Sequence, residues 1–402
     1  MAPNILWIVT TQWRAQALGC AGDPNARTPF LDSLAAEGVV YEQAVTPHPF
    51  GPFARAALLT GIESPANGIR DYYDPLPAGA RTIAHRMRER SYATAFFGKW
   101  HLAARDRAAG LVGEAHAMEV VPSGQRGGFD FWEGFESGFL LNNPWLHGTR
   151  LPEPVRFHGY QSDVVCMRAL DFVRGLGAPW FAVVSLEAPH PPYAAPSAGV
   201  PPRDPASIVM RPNVPPLGAA ADRARAELSG YYAHIEATDR SIAGLVGGLP
   251  RETIVVFTSA HGDMHGSHGL FRKGWPHEES VRVPLIVRAG GPARRDSSAL
   301  TLADLAGITT AWADGGAGAL LAAGLRERVY ARISMPSVVA LADQCDREWK
   351  GIRSATRKLV LQPGGAPWLC FDLENSPLEL DNLVHDPSRA AEVRRLQGLV
   401  SP

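Results

Sequence analysis

The sequence predicts an α/β protein with a doubly wound mixed sheet, mostly parallel and flanked by helices, and a small C-terminal α+β subdomain. Two observations predict this. Short continuous apolar runs rich in branched residues alternate with helical segments through most of the chain, which is the signature of strands covered on both faces. From about Arg326 onward that alternation gives way to short strand-like segments, turns and a terminal amphipathic helix.

The elements follow in order. Ile5 to Val9 is an unbroken apolar run, read as the first strand, and Pro29 to Gly38 is a helix opened by proline and closed by glycine. Thr82 to Ser91 is read as a helix before a strand at Thr94 to Phe97, and Ser162 to Leu176 as a helix before a strand at Trp180 to Leu186. Ala224 to Leu249 gives a further helix, followed by a strand at Thr253 to Thr258. Val329 to Ile333 and Lys358 to Leu361 are the strands expected in the C-terminal part, with a helix over Pro387 to Val400. The domain division is a main domain over 1–310, an Ala/Gly-rich linker over 311–325 and a subdomain over 326–402. In open parallel sheets ligands sit beyond the carboxyl ends of the strands, so chemistry is expected just after Val9, Phe97, Leu186 and Phe257. The irregular stretches Gly110 to Pro154 and Pro189 to Pro216 are too long for simple connections and are expected to cover that edge.

Composition narrows the function classes. The 402 residues are 46% hydrophobic, enough for a large core, and 39 Lys+Arg against 40 Asp+Glu leave a formal net charge of -1. No global field draws such a chain to nucleic acid or to an anionic membrane, and any anion binding must be local. No apolar run reaches the length of a membrane span and no basic leader precedes the first strand, so the expectation is a cytoplasmic protein. Cys20, Cys166, Cys345 and Cys370 lack metal-knot or paired spacing and read as buried thiols. Homo-oligomerisation is left open.

An ordered series of motifs runs along the chain. It begins with Pro3-Asn4-Ile5-Leu6-Trp7-Ile8-Val9-Thr10, Thr28-Pro29-Phe30-Leu31-Asp32-Ser33-Leu34-Ala35 and Arg55-Ala56-Ala57-Leu58-Leu59-Thr60-Gly61. It continues with Gly98-Lys99-Trp100-His101-Leu102, Ala188-Pro189-His190-Pro191-Pro192-Tyr193, His261-Gly262-Asp263-Met264, Arg272-Lys273-Gly274 and Arg282-Val283-Pro284-Leu285-Ile286. In this order the series resembles the type I sulfatases of the alkaline phosphatase superfamily and the related phosphonate monoester hydrolases. The resemblance implies an alkaline-phosphatase-like fold. It also implies a calcium or magnesium ion held by acidic residues after two central strands, and a Cys or Ser in a C-x-P-S-R motif converted to formylglycine. A hard cation with oxygen ligands offsets charge on a transferring sulfuryl group, which explains that architecture.

Three defining positions depart from the pattern. The metal carboxylate after the first strand is Thr11, followed by Gln12; the nucleophile position is Gly51; and the carboxylate after the Phe257 strand is Ala260, followed by His261. Gln12 and His261 alone fall far short of the six to eight oxygens calcium takes, so neither metal nor formylglycine is expected as a cofactor. The positions that hold the sulfate in the family survive as Arg55, Lys99 and Lys273, joined by His101 and His190, and together they are expected to form a cationic cradle. His265 stands where the family has an apolar residue. Thr10 and Thr11 read as turn caps in preference to a nucleophile.

The expected function is therefore binding of an anionic small molecule that bears sulfate, phosphate or carboxylate. Metal- and formylglycine-independent acid-base or transfer chemistry would then fall to His101, His190, His261 or His265. The alternatives are a noncatalytic binding protein and a residual sulfuric or phosphoric ester hydrolase. In all three the partner is the small anion, with no nucleic acid and no membrane.

Overall fold

The computed structural model describes residues 2–107, 110–177, 179–315 and 328–400. The strands are β1 (Ile5–Thr10), β2 (Val39–Tyr41), β3 (Ala93–Lys99), β4 (Phe131–Phe135), β5 (Trp145–Gly148), β6 (Val155–Arg156), β7 (Trp180–Ser185), β8 (Ile254–Ser259), β9 (Leu285–Arg288) and β10 (Arg294–Asp296). They form one sheet in the order β10-β2-β9-β8-β1-β7-β3-β4-β5-β6. Its centre is parallel: β1 pairs with β7 and β8, and β3 with β7 and β4. Antiparallel pairs flank that centre, β8 with β9 on one side and β4 with β5 on the other, so the sheet is mixed.

The alternation along β1 shows why its residues are uniformly apolar. Ile5, Trp7 and Val9 face one core, while Leu6 and Ile8 face the other. The first core is closed by α2 (Gly51–Thr60), α3 (Ile83–Arg88) and α8 (Asp304–Ala313). The second is closed by α1 (Pro29–Glu37), α5 (Gln161–Arg174) and the long α6 (Ala219–Gly247). Two single-turn helices, α4 (Glu114–Ala117) and α7 (Glu278–Val281), lie in the connections.

Four further strands, β11 (Ala331–Met335), β12 (Trp349–Arg353), β13 (Arg357–Leu361) and β14 (Pro367–Asp372), make an antiparallel sheet covered by α9 (Ala390–Val400). The predicted terminal helix begins three residues later than expected because Pro387–Arg389 forms a separate 3-10 turn. Helix α8 runs three residues into the segment read as linker, and from 316 to 325 that segment lies outside the described residues.

A buried ionic network joins this subdomain to the main domain. Lys358 Nζ lies 2.7 Å from Glu278 and 2.6 Å from Glu379 and donates to Pro276 O at 2.9 Å, while Arg353 pairs with Glu278 at 2.7 Å. Removing one partner strands the remaining charges in a dry interface. Lys358→Met is expected to lower unfolding stability by about 3–5 kcal/mol in urea denaturation. A loss under about 1 kcal/mol would show that the network adds nothing beyond packing.

Candidate functional site

The register of the central strands brings four strand ends to one edge. Val9 pairs with Ser185, Thr10 with Ser259, and Gly98 with Ser185. The next residues along each chain, Thr11 and Gln12, Lys99 to His101, Glu187 to His190, and Ala260 and His261, therefore converge. Helix α2 points its N-terminus at the same place, which brings in Gly51 and, one turn later, Arg55. Lys273, from the loop before α7, reaches the same edge, and all of these residues are buried; the most exposed, Lys273 and His190, retain only 7% and 6% of their accessible surface.

Arg55 is pinned by neutral acceptors. It donates to Lys99 O at 3.1 Å, Ser185 Oγ at 2.6 Å and Thr11 Oγ1 at 2.8 Å, while Nε has no partner. Burial lowers its pKa to about 10. Lys99 points the other way and donates to Glu187 Oε1 at 2.6 Å, with both side chains fully buried. Its ammonium also sits 4.6 Å from the Phe139 ring centroid, and that ring stacks on His190 at 4.4 Å.

Lys273 donates to Gln12 Oε1 at 2.7 Å and lies 3.2 Å from His190 Nε2. The Gln12 amide in turn donates to Asp263 Oδ2, which also accepts from Tyr193 at 2.6 Å. Burial alone would raise the Asp263 pKa, but His265, Arg272 and the Tyr193 donor outweigh it and hold the group below the usual carboxylate range. Lys273 and Asp263 are thus opposite charges joined through one amide. Gln12 adopts φ 66, an uncommon left-handed conformation at this strand end.

The residues present do not fit the cation that the resemblance implies. Thr11 Oγ1 is committed to Leu186 O at 2.9 Å and to Arg55, Gln12 Oε1 is taken by an ammonium, and Ala260 has no ligand atom. Nor does the helix start fit a nucleophile, since a Cβ added at Gly51 would stand 2.7 Å from His101 Nδ1. His101 Nδ1 is buried without a partner, and its Nε2 lies 3.3 Å from Tyr72 OH.

The structure corrects the expected charge of the histidines. Burial first, then neighbouring lysines and arginines, keeps His101, His190 and His261 well below the ordinary imidazole range, and burial takes His265 to about 4. They are neutral at pH 7 and add hydrogen-bonding nitrogens, not charge. His190 Nδ1 donates to Pro191 O at 2.8 Å, which leaves Nε2 to accept from Lys273. His261 Nδ1 is 2.9 Å from Gly262 O, and its Nε2 is buried and unpartnered. His265 stands apart from the cradle, behind Asp263, packed on Tyr231 and Tyr193.

Sequence reasoning missed Glu187, Phe139 and Ser185. Glu187 was within reach, since it is the acidic residue immediately after a predicted strand end and three residues before His190. Burial also lowers Lys99 to about 8 and Lys273 to about 7, so their charges titrate near neutrality.

The packing of His101 on the helix start can be measured. Gly51→Ala is expected to cost about 1–3 kcal/mol with His101 present, the range for overpacking, and nothing in a His101→Ala background. Equal costs in both backgrounds would place the clash elsewhere.

The Sulfatase family model matches residues 3–314. The chain is 37% identical over 302 residues to the ulvan-active sulfatase of Formosa agariphila, an alignment covering 72% of this chain and 56% of that protein. The chain thus spans little more than half of that relative's length. The solved yidJ protein of Bacteroides fragilis superposes with a TM-score of 0.85 at 23% identity, covering 99% of this chain and 94% of that one. The phosphonate monoester hydrolase of Agrobacterium radiobacter does so with a TM-score of 0.74 at 21% identity, covering 99% and 95%. At those identities the structural likeness speaks for the fold, and it matches the predicted architecture. The family match over residues 3–314 and the 37% identity go further, and the chain belongs to the sulfatase family of the alkaline phosphatase superfamily.

Proposed function

We propose that this protein binds an anionic ester in the cradle of Arg55, Lys99 and Lys273 without a metal ion or formylglycine, and that His101 supplies acid-base chemistry there. The observation that carries this reading is the contact between Gly51 and His101. His101 Nδ1, an imidazole nitrogen without a hydrogen-bond partner among the described residues, lies 2.7 Å from where a Cβ at position 51 would stand. A neutral imidazole next to an ester oxygen can accept or relay a proton, whereas glycine can neither attack nor be oxidised to an aldehyde. The sulfatase named among the relatives supports a sulfated ligand, and the phosphonate monoester hydrolase supports phosphorus oxyanions.

Noncatalytic binding is the second reading, and one observation favours it. Each cation of the cradle already has an internal partner: Lys99 on Glu187, Lys273 on Gln12, and Arg55 on Ser185 and Thr11. Turnover of any sulfate, phosphate or phosphonate ester by the chelator-treated protein would decide for catalysis.

The pH dependence follows from the lysines. A bound anion is held by the protonated ammonium groups, so affinity is full below about 7, where Lys273 and Lys99 are both charged, and falls as pH passes about 7 and then about 8. The histidines do not contribute to this dependence, because burial and the neighbouring cations hold His101, His190 and His261 well below the ordinary imidazole range. Thermal-shift titration of sulfate in chelator is expected to show Lys273→Met weakening affinity about tenfold at pH 6 and hardly at all at pH 9, as for loss of one charge-assisted bond. Equal responses of wild type and Lys273→Met at pH 6 would remove Lys273 from the binding site.

A further inference from the structure

We infer that Glu187 makes the cradle select an oxyanion ester that carries its own proton, so that a phosphate-monoester monoanion is preferred to a sulfate ester. This rests on the anion-binding reading above and names the ligand class it takes. Glu187 Oε1 lies 2.6 Å from Lys99 Nζ and 3.7 Å from His190 Nδ1. An ester oxygen that accepts from Lys99 therefore comes to rest beside a carboxylate oxygen. Two acceptors facing each other with no proton between them repel, whereas a hydroxyl on the ligand turns the same contact into a charge-assisted hydrogen bond.

The carboxylate has capacity to spare. Glu187 Oε2 is buried without any partner, and neighbouring Gln161, whose Oε1 accepts from the Glu187 amide at 3.3 Å, leaves its own Nε2 unpartnered. Among the described residues no donor takes that oxygen. The other groups facing Glu187 are Arg55 from α2, Lys273 from the loop before α7, and Tyr72. With Arg55, Lys99 and Lys273 charged against Glu187 and Asp263, the site holds one net positive charge, which suits a monoanion.

Methyl phosphate in its singly charged form and methyl sulfate test this directly, because both are tetrahedral monoanions and, beyond phosphorus in place of sulfur, only the phosphate carries a hydroxyl proton. Dimethyl phosphate is a monoanion without that proton. The phosphate monoester loses its remaining proton at about pH 6. The titrating lysines act on both ligands alike while both are monoanions, so at pH 5 they cancel in the ratio of affinities; dimethyl phosphate, a monoanion at every pH of the titration, is the control for the charge that the phosphate monoester gains above about pH 6.

Calorimetry on the full chain in chelator is expected to show methyl phosphate binding about tenfold tighter than methyl sulfate at pH 5, with dimethyl phosphate resembling methyl sulfate. By pH 8 the preference should disappear. In Glu187→Gln, whose amide can donate, the pH 5 preference should shrink to within about twofold. If that variant does not fold, dimethyl phosphate and the pH ratio on wild type still carry the test. Measurable binding with equal affinity for the two esters, or with methyl sulfate preferred at pH 5, would overturn the role of Glu187. Failure of all three esters to bind would instead overturn the anion-binding reading on which it rests.

Discussion

The site depends on the bridge from Lys273 through Gln12 to Asp263. A buried ammonium requires acceptors and a buried carboxylate requires donors, and the Gln12 amide offers one of each on a single rigid plane. That requirement holds Gln12 in its left-handed conformation and turns His190 Nε2 towards Lys273. It also fastens the loop after β8 to the end of β1. Positions 11 and 260 lie at the same strand ends and carry no charge. Thr11 turns its hydroxyl to the backbone and to Arg55, and Ala260 leaves the strand end without charge.

The cations of the cradle are consequently partnered from within, and the site is not a bare positive pocket. Lys99 has Glu187, Lys273 reaches Asp263 through the amide, and Arg55 alone faces neutral acceptors only. Burial of this kind lowers lysine pKa values towards neutrality.

Much of this was legible in the sequence. The strands β1, β3, β7 and β8 announced themselves as continuous apolar runs because both of their faces are covered, as the alternation of Ile5, Trp7 and Val9 against Leu6 and Ile8 shows. Arg55, Lys99, Lys273, His101 and His190 were found from motif position, and the fold brings them to one edge. The protonation of the histidines was not legible, because it depends on how tightly Phe139, Tyr72 and Tyr193 close over them, and such contacts come from loops distant in sequence. The position of Glu187 after a strand end was legible, but its pairing with Lys99, 88 residues away, was not. His265 looked like new chemistry beside the cradle, yet it packs behind Asp263 and steadies that carboxylate through its backbone N–H at 3.1 Å.

The central proposal is that Thr11, Gln12 and Ala260, with the Gln12 oxygen taken by Lys273, do not hold the divalent metal ion that the family resemblance implies. Calcium calorimetry on the wild-type protein, after chelator treatment and in a buffer free of phosphate, tests it most directly. The account predicts no binding heat at millimolar calcium, far weaker than a built oxygen cage at about 10⁻⁷–10⁻⁵ M. Saturable binding in that micromolar range would contradict it.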